Sequence, residues 1–296
     1  MGSFFKKPIV IIVFVIVAIG LGVFVFVGLG KAPQSLPVAA ATLEPIHTVI
    51  GLSVEGRNVD AYTYGNGEVK LLFVGGIHGG YEWNSVILAY QFMDYLEANP
   101  KSLPDNLTVA IIPSANPDGV FKVIGKEGLF AISDVPISSD ESPGRFNANG
   151  VDLNRNFDCK WQPKSLWKSK TVSAGSAPFS EPEAKALKDY ILENNISAAI
   201  FWHSQSNAVY ASQCENGILP TTLDIMNDYS KASGYTAVKT FDAYATTGAA
   251  DDWLASIGIS AITVELSTHK TIEWEKNLLG IKAIFDYYGQ KVELDS

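Results

Sequence analysis

Polar and apolar positions divide this chain into three stretches. From Pro8 to Leu29 no side chain carries a charge or a hydrogen-bonding group, and about 20 such residues suffice to cross a bilayer. Lys6 and Lys7 precede the run and only Lys31 follows it, so the bias of basic residues toward the cytoplasmic side places residues 1–7 in the cytoplasm and the bulk of the chain outside. Residues 8–29 are therefore expected to form a transmembrane anchor. A cleaved signal peptide, cut at Ala39-Ala40-Ala41, is the rival reading, although its apolar region usually runs only about 7 to 15 residues. Residues 30–44 hold two prolines, small residues and no periodicity, the composition of a linker. A linker this short leaves no room for a propeptide, and none is expected.

Beyond Pro45 the pattern changes to short apolar runs separated by longer amphipathic ones. Leu71-Leu72-Phe73-Val74, Thr108–Ile112, Ala198–Trp202 and Ala261–Val264 read as strands. Val86, Ala89, Tyr90, Met93 and Leu96 share one helical face, and Trp274, Leu278, Ile281, Phe285 and Tyr288 share another. Ser180-Glu181-Pro182-Glu183 has the spacing of a capping box and should open a helix whose inward face is Ala184, Leu187 and Ile191. Strands alternating with helices predict one α/β sandwich domain over residues 45–296. Residues 120–180 are rich in Gly, Ser, Pro, Asn and Asp with little pattern, and so long an irregular segment inside a domain is usually functional.

Composition narrows the partners. At 47% hydrophobic and 18% charged the chain is neither disordered nor of low complexity. After Lys31, 19 of the 22 basic residues face all 31 acidic ones, and no basic stripe interrupts the surplus of negative charge. Nucleic acid and anionic lipid surfaces are therefore not expected partners of the soluble part. Two cysteines are too few for a disulfide scaffold or a Cys-only zinc site, and four histidines leave little material for a metal.

Three polar residues stand just past predicted strands: His78, His203 and Glu265. Ligands of open α/β sheets bind at that edge. His78-Gly79-Gly80-Tyr81-Glu82 brings an imidazole and a carboxylate within about a turn, and His203 would complete a two-His, one-Glu zinc site. Gly75, Gly76, Gly79 and Gly80 would let backbone crowd a ligand, although a tight turn or an anion loop would use the same glycines. The segment Arg145 to Phe157 gathers two guanidiniums and several amides, either as a binding element or as a structural loop with Arg paired to Asp.

Taken together, these motifs resemble the zinc metallocarboxypeptidases, the family of carboxypeptidases A and B, over about residues 45 to 290. The resemblance implies a single domain with a mixed β-sheet sandwiched by helices, and one zinc ion per chain held by His78, Glu82 and His203. The family spacing is His-x-x-Glu, and this chain carries one residue more. The resemblance further implies that Asn154 and Arg155 hold the terminal carboxylate of a peptide, that Arg145 stabilises the oxyanion, that Tyr244 caps the substrate, and that Glu265 is the general base. Asp251 falls where relatives set the chemistry of the specificity pocket, and an acidic residue there resembles the B type, which takes basic termini.

The implied activity is removal of C-terminal residues from extracytoplasmic peptides by a monomeric catalytic domain. A zinc amidase or deacylase, or a peptidase acting on cell-wall peptides with a diamino acid, is the alternative. A binding protein with a dead site would lack ligands or base, and all these positions are filled. Cys159 and Cys214 should both lie near the site, where an oxidising exterior would let them bridge; free buried thiols are the other reading. His47 and His269 fall in no motif and read as ordinary surface residues.

Overall fold

A computed structural model describes residues 43–137 and 140–294. The expected anchor, residues 8–29, and nearly all of the linker lie outside the described residues. Among those described, no helix is long and apolar enough to cross a membrane.

The chain opens with an antiparallel pair, β1 (Ile46–Leu52) and β2 (Asn58–Gly65), then β3 (Val69–Val74), helix α1 (Trp83–Ala98), β4 (Leu107–Ile112) and α2 (Pro117–Ile124). A separate hairpin, β5 (Lys164–Trp167) and β6 (Lys170–Ser173), precedes α3 (Pro182–Asn194). The second half runs β7 (Ala198–Ser204), β8 (Ala208–Ala211), α4 (Pro220–Ser233), β9 (Thr236–Val238), α5 (Ala250–Ser256), β10 (Ser260–Leu266) and α6 (Trp274–Leu294). Eight strands join in the order β1-β2-β4-β3-β7-β10-β8-β9. The centre, β4-β3-β7-β10, is parallel, while β2 against β4 and β8 against β10 are antiparallel. The result is the mixed α/β sandwich that the sequence implied.

Side chains of a strand alternate between faces, and the central strands, apolar over most of their length, therefore feed two cores. Leu71, Phe73, Ile200 and Trp202 pack with Phe92 of α1, Tyr229 of α4 and Phe285 of α6. Leu72, Val74, Ala199 and Phe201 pack on the opposite face with Leu187 of α3 and Leu254 of α5, joined by Leu153 and Phe157. Burial on both faces is what a parallel sheet requires, and it leaves the strand ends as the place for polar groups.

Three local expectations need correction. Helix α3 is not opened by a capping box: Glu181 is the N-cap, without a side-chain cap, and the helix starts on Pro182. Ser180 Oγ donates to Glu181 Oε1, and Glu183 accepts from the Val54 N–H and the Asn147 amide, so the two side chains do not form the reciprocal bonds of a capping box. The stretch read as patternless, 120–180, holds the end of α2, the β5–β6 hairpin and several 3-10 turns. The glycines after β3 serve backbone packing rather than a ligand, since at Gly79, with φ +48, an added Cβ would stand 2.5 Å from the Gly144 carbonyl oxygen.

Cys159 and Cys214 form a disulfide that closes 55 residues, worth roughly 4 kcal/mol in the chain-entropy account. It stands beside the site through main-chain bonds. Cys159 O accepts from the Gly248 N–H, and Gly248 O accepts from the Phe157 N–H. Gly248 has φ +71, and a Cβ there would lie 2.2 Å from Arg155 O, so only glycine lets this loop approach the Asn154-Arg155 segment.

Candidate active site

The parallel strands end around one cavity of about 750 Å³. His203 lies near the end of β7, and Glu265 is its partner across the parallel ladder to β10. His78 follows β3 after a glycine turn, and a 3-10 turn, Gly79–Glu82, carries the chain from it to α1. That turn absorbs the extra residue between His78 and Glu82.

The three side chains converge. Glu82 Oε1 is 2.8 Å from His78 Nδ1 and Glu82 Oε2 is 3.0 Å from His203 Nδ1, while the two Nδ1 atoms lie 3.1 Å apart. All three residues are buried, and one donor atom from each falls within 4.8 Å of the others. Burial works to raise the Glu82 carboxyl, but the two imidazoles outweigh it and hold Glu82 well below the ordinary range. Two imidazoles and one carboxylate are the donor set that zinc takes where one position stays open. A carboxylate behind a ligating imidazole is the usual second support, and Asp152 Oδ1 stands 3.4 Å from His78 Nε2. The residues fit a zinc ion.

Asp152 was missed as a site residue by sequence reasoning, although pairing of Arg with Asp in this segment was foreseen. It is fully buried and takes Arg145 Nε at 2.9 Å and Nη2 at 2.8 Å on one oxygen. Burial alone would raise its pKa, but Arg145, Arg155 and His78 hold Asp152 far below the usual carboxylate range. Arg145 stacks over Trp167 at 4.8 Å and keeps Nη1, 3.7 Å from Glu82 Oε1, toward the triad.

Asn154 and Arg155 line the same cavity. Asn154 Oδ1 accepts from the Ala250 N–H at 2.9 Å, which leaves its amide nitrogen free to donate. The Arg155 guanidinium is 3% exposed and donates to two carbonyl oxygens, Leu166 O and Asn154 O. Among the described residues no carboxylate forms a direct ion pair with it, and it acts only at longer range on Asp152 and Asp252.

Tyr244, half-buried in the β9–α5 loop, and Asp251, in the first turn of α5, complete the expected set on the cavity wall. Asp251 does not cap α5: Oδ2 accepts from Thr263 Oγ1 at 2.9 Å, and no Lys or Arg pairs with it among the described residues. Its neighbour Asp252 also lines the cavity and accepts from the Gln213 N–H. Burial and the adjacent Asp251 push Asp252 up to about 7. Glu265 is likewise pushed up to about 7 by burial and by Glu82.

One histidine was misread. His47 is exposed beside Asp60, as expected of a surface residue. His269 is half-buried, lines the cavity, packs on Tyr81 at 4.6 Å and bonds to Ser204 Oγ at 2.6 Å. Its position three residues beyond β10, the strand of Glu265, was the available signal. Tyr81 and Trp167, in edge contact at 5.1 Å, were not singled out either.

Comparison with known proteins agrees with this arrangement. A family model described as zinc carboxypeptidase matches residues 41–279. The chain is 28% identical over 242 residues to gamma-D-glutamyl-L-diamino acid endopeptidase 1 of Lysinibacillus sphaericus, covering 75% of this chain and 60% of that protein. It is 27% identical over 240 residues to carboxypeptidase B of Astacus astacus, covering 73% and 77%. The crystal structure of thrombin activatable fibrinolysis inhibitor superposes with a TM-score of 0.66 at 20% identity, over 85% of this chain and 70% of that one; this likeness carries the fold alone. The chain spans about three fifths of the length of the first curated relatives it matches.

Proposed function

We propose that this chain, which belongs to the zinc carboxypeptidase family, hydrolyses the C-terminal peptide bond of peptides that end in a basic residue or a diamino acid. The observation that carries the reading is the buried Arg155 guanidinium, without an ion-pair partner among the described residues, in one cavity with the His78, Glu82, His203 group and Glu265. A buried charge of that kind calls for an anionic ligand, and a guanidinium pairs with a carboxylate bidentately. Asn154 would donate its amide to the same terminal carboxylate. An amidase acting on internal or blocked bonds would have no use for the pair.

When bound at His78, Glu82 and His203, zinc supplies Lewis acidity that polarises the scissile carbonyl and makes water acidic enough to attack at neutral pH. The remaining work falls to the chain's own residues. Arg145, held by Asp152, aims Nη1 at the oxygen on which charge develops, the place where a fixed donor contributes most. Glu265 takes a proton from the attacking water and delivers it to the leaving amine. Its upward shift, caused by burial first and Glu82 second, suits a group that must both accept and release a proton. Tyr244 closes over the leaving residue, whose cationic side chain would meet Asp251. The name of the Lysinibacillus relative, a diamino acid endopeptidase, supports an amine-bearing leaving residue.

The apolar run 8–29 and the disulfide support a catalytic domain held outside the cytoplasm by a single-pass anchor. Hydrolysis of matched peptides with free and amidated C-termini, with and without chelator, tests the function. The free peptide should be cleaved in a chelator-sensitive way. The amide should lose about 2 to 5 kcal/mol of transition-state binding, and equal cleavage of both would refute the carboxylate clamp.

A further inference from the structure

The proton count around His269 fixes which way its imidazole can serve. Asn84 Nδ2 donates to two main-chain carbonyls, Thr268 O at 2.7 Å and Thr271 O at 2.9 Å. A carboxamide has only two such protons, and rotating it would set its oxygen against both carbonyls. Asn84 Oδ1 is therefore an acceptor, and it takes the single hydroxyl proton of Ser204 Oγ at 3.0 Å. Ser204 Oγ has no proton left for His269 Nδ1, 2.6 Å away, so Nδ1 must carry the hydrogen. The lone pair of a neutral imidazole then resides on Nε2. Burial, with Lys168, His78 and Arg145 in support, pulls the ring's pKa below its ordinary value despite Glu82, which favours the neutral form. The relay tying this tautomer down is itself buried, since Asn84 and Ser204 are 0% and 4% exposed.

His269 also has a defined place in the cavity. Its contacts are Ser204, next in the chain to His203, and Tyr81, next to Glu82, so it flanks the metal group. Asn154, Arg155 and Asp251 are assigned to the leaving residue. Of the remaining wall, Tyr81, Trp167, Lys168 and His269 stand ready for the acyl portion. Lys168 forms no ion pair among the described residues and disfavours a cationic donor near the ring. A neutral N–H is what an Nε2 lone pair in that setting can take.

We propose that His269 Nε2 accepts a hydrogen bond from the amide N–H of the residue that supplies the scissile carbonyl, making His269 a specificity residue on the acyl side. The proposal rests on the peptidase reading above. It predicts that replacing that one N–H with an ester oxygen or an N-methyl group lowers kcat/KM about tenfold in the wild type, the worth of one neutral hydrogen bond.

Two measurements test it on the zinc-loaded protein. In His269→Asn the amide can still donate to Ser204 but reaches no further, so kcat/KM on the N–H substrate should fall about tenfold and the preference for N–H over its analogues should vanish. A wild type without that preference, or an Asn variant that keeps it, overturns the proposal while leaving the peptidase intact. A purely structural role for His269 would lower activity on all substrates alike and leave the preference standing. If no acylated peptide is hydrolysed at all, the peptidase reading falls and takes the proposal with it. Independently of activity, nitrogen-15 NMR of the ring, assigned by its loss in the Asn variant, should show hydrogen on Nδ1 and a bare Nε2; hydrogen on Nε2 refutes the proposal outright.

Discussion

Asp152→Asn removes one negative charge at the most crowded point of the site and changes little else in shape. Asp152 Oδ1 accepts from the Asn154 N–H at 3.2 Å while the other oxygen takes both Arg145 donors, so an amide can keep one of these sets and must turn its NH2 toward the donors of the other. Arg145 and Asp152 are 3% and 0% exposed. Breaking a buried pair costs about 3 to 5 kcal/mol. In a domain of this size each kcal/mol moves Tm by about 2 to 4 °C, so a drop of about 6 to 20 °C is expected. The carboxylate behind His78 is lost at the same time, and zinc affinity should fall about 10- to 100-fold. Thermal unfolding of the zinc-free protein and zinc competition against a chelator measure the two effects separately. The acid limb supplies a sign. Because Asp152 is held far below its ordinary value of 3.8, its contribution to stability is complete above that value and drains away as the pH falls below it. The gap between wild type and variant should therefore be widest near neutrality and narrow in acid. A variant with the wild-type Tm and wild-type zinc affinity would refute the assignment of Asp152 as the shared support of Arg145 and His78.

Other substitutions separate the remaining roles. Glu265→Gln should keep zinc and fold but lose about 10²- to 10⁴-fold in kcat, and turnover within threefold of wild type would remove Glu265 from proton transfer. Asp251→Ala should abolish a preference for peptides ending in Lys over those ending in Phe; a preference absent from the wild type, or untouched by the change, would show that Asp251 does not read the leaving side chain. Asp252 loses its proton at about 7, adding a second negative charge beside Asp251 as the pH rises. The Lys-over-Phe ratio in kcat/KM should therefore climb between about pH 6 and pH 8 and flatten in Asp252→Asn. A ratio independent of pH in the wild type would exclude that carboxylate from the pocket.

The parts of this protein legible in its sequence are those where one physical demand acts alone. β3, β7 and β10 are buried on both faces, so their apolar runs stand out, and His203 and Glu265 close two of those runs within the strands while His78 follows the third. β1 escaped notice because most of it is exposed, and α4 because Thr222 and Ser230, among others, stand in for apolar residues on its buried side. Ser180-Glu181-Pro182-Glu183 misled because its acidic groups answer to Asn147 and Asn149, more than 30 residues away, rather than to the helix they begin. His269 was passed over for a related reason. The role proposed for it depends on Asn84 and Ser204, both distant in the chain, and no local spacing encodes such a relay.

The ladder between β7 and β10 has a last implication. Residues 203 and 265 are register partners on adjacent parallel strands, so the separation of the candidate metal ligand and the proposed base is a lattice constant of the sheet, about 4.8 Å between backbones. No loop sets it. The features proposed to choose a substrate reside elsewhere, on the β9–α5 loop, the hairpin turn at Lys168 and the segment after β10. A lineage can redraw those edges, and so exchange one diet of peptides for another, without ever reopening the question of how the bond is cut.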